Sequence, residues 1–281
     1  MTANTDPSDH AASSTAVEGQ VDQEFVAAEQ AIEDAASYAN AAQAAGDAGE
    51  NAAPVVRSEL TPEQRRELAR ATAKRQRRLG AEELSRVYPG TIVIQRQITI
   101  ADPAIASSAS RFLGLTDRTI YLVNRFGQRY HTASEIEAIR ESLHAVIDAY
   151  CKEAEATLAQ GRELAQQAKE KLLDESDWLV PSYTSNTLDV NFGVKARDTI
   201  ALVRALQTWD AAILEFAALE FNDTASIGQI ETMRLRERRM FSAISRLCLR
   251  TIGGFSKRRD KLARSRAEAA QERTEEATAE A

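Results

Sequence analysis

The sequence predicts a mainly α protein: a helical bundle with one long helix and an αα-hairpin, plus a short β-strand that needs a ribbon partner. Three observations predict it. The 281 residues are rich in Ala, Glu, Gln and Arg and only 6% aromatic, and straight-chain residues lose little rotamer freedom in a helix. Beyond residue 130, apolar residues recur at three- and four-residue steps through three long stretches. Only residues 91–100 alternate convincingly with a period of two.

Taken from the N-terminus, residues 1–56 carry ten acidic side chains and no Lys or Arg, with few large apolar groups. They bury too little surface to offset chain entropy, so an acidic, disordered region is expected, with 22–42 its one candidate for a short helix. Pro54 closes it. Residues 57–88 form a basic helical arm. Thr61 caps a helix with Pro62 in its first position, running to about Leu79, and 57–79 hold eight basic and three acidic groups. A shorter helix at 81–87 stops before Pro89-Gly90.

The core domain spans 89–258. On the strand, Ile92, Ile94, Ile98 and Ile100 fall on one face, with Arg96 interrupting, while Val93, Gln95, Gln97 and Thr99 occupy the other. An unpaired strand edge is a liability. Two partners are open: a second extended piece at 188–194, or the same strand of another copy, as in a ribbon-helix-helix dimer.

Asp102 caps a helix that starts at Pro103 and stops before Gly114. A short element at 117–126 ends at Gly127. Thr132-x-x-Glu135 is a capping box, opening a helix to about Leu173 that Gly161 bends or weakens. After a loop with Pro181, Tyr183 and Asn186, helices at 196–221 and 226–252 make an αα-hairpin about Asn222-Asp223-Thr224. The second of them stops at Gly253-Gly254. Residues 259–281 form a charged tail.

No run of about 18 apolar residues exists, so no membrane span is expected. The N-terminus has neither a basic nor an apolar signal region. Cys151 and Cys248 lack CxxC spacing, and two reduced, packed thiols suit a cytoplasmic protein. His10, His131 and His144 are too scattered for a zinc site or a Ser-His-Asp arrangement. GxGxxG, GxxxxGK[ST] and GxSxG are absent. The expectation is a protein that is not an enzyme, with no cofactor, metal or small-molecule substrate. Glu135/Glu137 and Glu153/Glu155 read as solvated helix faces, and Trp178, Trp209 and Tyr121 as core or half-buried anchors.

Net charge is −7, but it falls in blocks. Residues 234–266 hold twelve basic and two acidic groups, and 267–281 hold five Glu and only Arg273. Arg234, Arg238 and Arg239, then Arg246, Arg250, Lys257, Arg258 and Lys261, fall at helical spacing or just past a glycine break. Such an array suits phosphate oxygens. Lys74 and Arg75 in the arm form a second group. The competing explanation is a solvated face matched by the chain's own carboxylates. On the strand, Gln95, Gln97 and Thr99 present donors and acceptors that suit base edges in a major groove, with Arg96 beside them. Double-stranded DNA is the expected partner and a homodimer the expected assembly. The rival is a helical accessory or scaffold protein without DNA affinity.

From Ile98-Thr99-Ile100 the sequence continues through Arg111-Phe112, Thr119-Ile120-Tyr121-Leu122-Val123-Asn124-Arg125-Phe126, a long helix, Leu188-Asp189-Val190-Asn191-Phe192 and Leu206-Gln207-Thr208-Trp209-Asp210. In that order and texture, over 98–255, it resembles the conjugative-element proteins that include the AcaB-type transcriptional activators and related proteins of integrating conjugative elements. The resemblance implies a ribbon-helix-helix-related DNA-binding dimer controlling transfer genes, with Gln95, Gln97 and Thr99 as base readers by position and no catalytic residues. The chain departs from that pattern in its acidic N-terminal extension, its basic helix at 61–79 and the stretch 137–145.

Overall fold

The computed structural model describes residues 92–171, 178–225 and 228–279, without side chains at 266, 267 and 270–279, together with single positions between 61 and 84. The expected acidic region 1–56 and Arg75 lie outside the described residues, and of the helix expected at 81–87 only Glu82 and Leu84 are described, both helical. From the arm, Lys74 is helical and exposed, and Leu84 is buried in the core.

Two strands and four helices follow in the order β1 (Ile94–Ile100), α1 (Pro103–Tyr130), α2 (Ala133–Lys169), β2 (Leu188–Val194), α3 (Arg197–Phe221) and α4 (Gln229–Ala279). The fold is mainly helical with one two-stranded antiparallel sheet. The partner of β1 is β2 of the same chain, Ile98 opposite Val190 and Ile94 opposite Val194. Ile98, Ile100, Phe192 and Val194 are buried on the inward face, whereas Ile94 and Arg96 at its open end are exposed. Gln95, Gln97, Thr99, Asp189 and Asn191 share the other face.

At the start of α1, Asp102 Oδ1 accepts from the amides of Ala104 (2.8 Å) and Ile105 (3.2 Å), a side-chain cap. The expected break at Gly114 does not occur: α1 is one helix to Tyr130. Gly114 sits between Leu113 and Leu115, both buried, and packing on that scale outweighs a glycine penalty of about 1 kcal/mol. At Gly127 a Cβ would lie 3.1 Å from Ile136 Cδ1, so the residue's smallness lets α2 approach.

The capping box of α2 is present. Thr132 Oγ1 accepts from the Glu135 amide, and Glu135 Oε2 accepts from the Thr132 amide. Gly161 has a packing role, because a Cβ there would lie 3.0 Å from Phe216 Cε2 of α3. The first residue before α3, Ala196, has no side chain with which to cap it. The cap comes from across the fold. Asp117, inside α1, accepts from the amides of Lys195 (3.0 Å) and Ala196 (3.2 Å) and from Lys195 Nζ (3.3 Å). Burial pushes the Asp117 carboxyl up from its ordinary value, and Lys195 opposes that.

The stop expected at Gly253-Gly254 is also overturned: α4 runs on to Ala279. Ile252 and Phe255 flank the pair and are buried, so tertiary contacts carry the helix across. The chain turns into α4 through Asp223 (φ 53°) and Gly228 (φ 101°), the left-handed conformations such a turn needs. The core gathers Tyr150, Trp209, Phe241 and Phe255 from α2, α3 and α4. Cys151 and Cys248 are free, Cys248 buried. Among the described residues, no helix is long and apolar enough to cross a membrane.

Candidate nucleic-acid interface

α4 lies beside α1 and parallel to it. Ser108 meets Glu237, the rings of Phe112 and Phe241 contact edge to face at 5.9 Å, and Cys248 lies against Thr116 and Thr119. The inward stripe of α4 is therefore Met233, Glu237, Phe241, Ile244, Cys248, Ile252 and Phe255, all buried. At about 100° per residue, the opposite stripe carries Arg239, Arg246, Arg250, Lys257, Lys261 and Arg264, all exposed. From Arg239 to Arg264 it extends about 38 Å at 1.5 Å per residue. Within those bounds Asp260 is the one acidic residue on the helix, and it bonds Arg259. None of the six cations pairs with a carboxylate among the described residues.

Other basic residues of α4 are engaged inside the fold. Arg234 donates to Asp102, whose carboxylate is fully buried, and to Glu231. Arg258 donates to both oxygens of Glu135 and to the carbonyl of Tyr130 (3.1 Å), which ties α4 to the α1–α2 corner. The Arg258 guanidinium and the Thr132 amide hold the Glu135 carboxyl down at about 2. Arg236 pairs with Glu153 on α2. Arg238 is exposed, next to the buried Glu237.

The ribbon residues lie elsewhere. Asp117 holds the end of β2, and Thr119 of the same helix faces Cys248. Two residues of helix separate them by roughly 200° of rotation, so α1 stands between the ribbon and α4. Gln95 and Gln97 are exposed and Thr99 half-buried on the ribbon's outer face, with Gln97 Nε2 donating to Asp189 Oδ1 at 3.1 Å. Arg96 sits on the ribbon's inward face, opposite Phe192. The structure thus brings together Arg246, Arg250 and Lys257, and keeps Gln95, Gln97 and Thr99 as a separate group. Arg239 and Lys261, part of the cationic array legible in the sequence, join them on the stripe, and so does Arg264, which was not singled out there. The helical period carried past Gly253-Gly254 places all three on the stripe.

A second set of groups lies beneath α4. Glu237 is fully buried, accepting from Ser108 Oγ and from Tyr150 OH, each at 2.9 Å. Burial raises its carboxyl to about 7, and the nearby Asp102 adds to the rise. No cluster of three or more metal-ligating side chains occurs among the described residues.

No family model matches the chain, and no curated protein matches it. Among solved structures it is similar to the crystal structure of selenomethionine-containing AcaB from uropathogenic E. coli. The identity is 13% and the TM-score 0.49, over 65% of this chain and 88% of that one.

Proposed function

We propose that this chain is a non-catalytic DNA-binding protein that holds the phosphate backbone along the outward stripe of α4. The observation that carries the proposal is that stripe: six cations in line over about 38 Å, without a carboxylate partner among the described residues. Like charges held at fixed spacing repel one another, and a polyanion relieves that repulsion while releasing its condensed counterions. Arg238 flanks the stripe. Arg234 and Arg258 hold helices together and make no phosphate contact. The resemblance over 98–255 supports transcription control of a conjugative or mobile element as the setting. It also supports base contact by Gln95, Gln97 and Thr99, at a place separate from the stripe.

Titration of a fluorescent duplex at two or more salt concentrations tests this. The wild-type chain is expected to bind at low salt, with log K falling linearly in log salt. The pair Arg246→Ala and Arg250→Ala should weaken binding on every duplex and flatten the salt slope by about 2. Absence of affinity at low salt would end the proposal.

One observation favours a second reading, an accessory protein that docks another protein. Asn222 bonds the backbone of Leu179 in both directions at 2.9 Å, and this brings Leu179, Val180 and Phe221, all exposed, to one end of the bundle. A chain that binds no DNA but loses a protein partner on Phe221→Ser would support that reading.

A further inference from the structure

Residues 1–56 carry ten carboxylates and no Lys or Arg, while the outward stripe of α4 carries six cations. A second acidic block lies at 267–281, but the helix runs unbroken to Ala279. That block is therefore held in line beyond the stripe and cannot turn back onto it. The carboxylates of the core cannot reach it either. Glu237 faces inward, Asp102 belongs to Arg234, Glu135 belongs to Arg258 and Glu153 belongs to Arg236. The acidic N-terminal segment is the block of the chain left to neutralise the stripe. Gly80 packs against Ser110 of α1 and Leu84 lies in the core, so the tether is 57–79, whose 23 residues span about 35 Å even at the 1.5 Å rise of a helix.

We propose that residues 1–56 dock on the cationic stripe of α4 as an internal polyanion and compete there with nucleic acid. The inference rests on the reading of the stripe as a phosphate-binding surface and names its regulation. Binding of duplex DNA then requires the segment to leave, so the apparent affinity is the intrinsic affinity reduced by the fraction of chains with an open stripe. Salt acts in two directions, weakening both the internal contact and the DNA contact. The salt slope for DNA is therefore shallower with the segment in place than without its charge.

Two measurements on the full chain test this, and one does not involve DNA. Carbodiimide coupling joins a carboxylate to an amine in contact with it, with loss of water. Lys257 and Lys261 are expected to couple to carboxylates of 1–56, and Lys152, on α2, is not. Coupling confined to Lys74, in the basic stretch next to the segment, or absent from Lys257 and Lys261, would overturn the proposal. In the second measurement the ten carboxylates are replaced in place, Asp by Asn and Glu by Gln, which keeps the length. This chain is expected to bind duplex DNA at least several-fold more tightly than wild type at low salt, with the gap closing as salt rises. Equal affinities for the two chains would overturn the docking proposal and leave DNA binding standing. If neither chain bound DNA, the functional reading would fail and the coupling pattern alone would decide the docking.

Discussion

Arg234 Nε donates to Asp102 Oδ2 across 3.0 Å, and so fastens the first turns of α4 to the carboxylate that caps α1. Asp102 is completely buried. Removing Arg234 leaves that charge with the Ala104 and Ile105 amides and a long contact from Tyr183. The substitution Arg234→Met is expected to cost about 2–4 kcal/mol of stability, since a buried charge loses its ionic partner. Arg250→Met, on the exposed stripe, should stay within about 0.5 kcal/mol. Urea midpoints at unchanged slope measure both. Equal costs for the two would contradict the division between internal and surface arginines.

The buried Glu237 makes stability depend on pH. Its carboxyl is raised to about 7 from an ordinary 4.5, so between those values the folded chain holds a proton that the unfolded chain has lost. Stability therefore falls as pH rises through this window, and the full cost, of order 3 kcal/mol, is present above pH 7. Glu237→Gln should remove that fall. His131, held below its ordinary value by burial and by Arg258, acts with the opposite sign but is common to both proteins. The difference between wild type and variant in thermal midpoint from pH 5 to pH 8 is thus the quantity to measure. Parallel curves would show that Glu237 does not titrate there.

Two glycines in helices predict opposite results. At Gly161 a new methyl would meet Phe216 at 3.0 Å and Glu215 Cβ at 3.1 Å, so Gly161→Ala should destabilise by about 1–3 kcal/mol despite better helix propensity. At Gly253 nothing lies within 4 Å, and Gly253→Ala should stabilise by about 0.5–1 kcal/mol. Chemical denaturation compares them directly. A loss at Gly253 would mean that this position of α4 is not an ordinary helical turn.

Burial raises the thiols of Cys151 and Cys248 to about 11. At pH 8 about one thiol in a thousand is then a thiolate. Cys248, packed against Thr116 and Thr119, should react with a thiol reagent only at the rate of unfolding, and half-buried Cys151 faster but still slowly. Rapid labelling of Cys248 in the native protein would contradict its packing.

Local signals in the sequence specified much of this fold. Asp102 before Pro103 and Thr132 three residues before Glu135 marked two helix starts because capping is chemistry between near neighbours. The isoleucines of β1 gave its buried face, and Leu188–Val194 was one of the two partners open to it. The misplaced ends came from glycines. Gly114 and Gly253-Gly254 look like stops in isolation, and only packing by distant residues carries the helices through them. Asp117 as the cap of α3 was illegible for the same reason, since it stands 78 residues from Lys195. At the candidate site the cationic block is legible in the residue order, but its division is not. Arg234 and Arg258 differ from Arg250 only in what the fold places beside them.

A single rod of 51 residues carries the buried aromatic side and the charged outer side of α4. The separations among Arg239, Arg246 and Arg250 are thus inherited from the helix pitch and locked by Phe241, Ile244 and Cys248 behind them. A polyanion arriving there meets a ruler that is already graduated, and the backbone beneath it has no entropy left to lose. Shifting the charges along the rod by one residue would rotate them off the line, so an insertion between Arg246 and Arg250 should disable the surface more thoroughly than losing either residue.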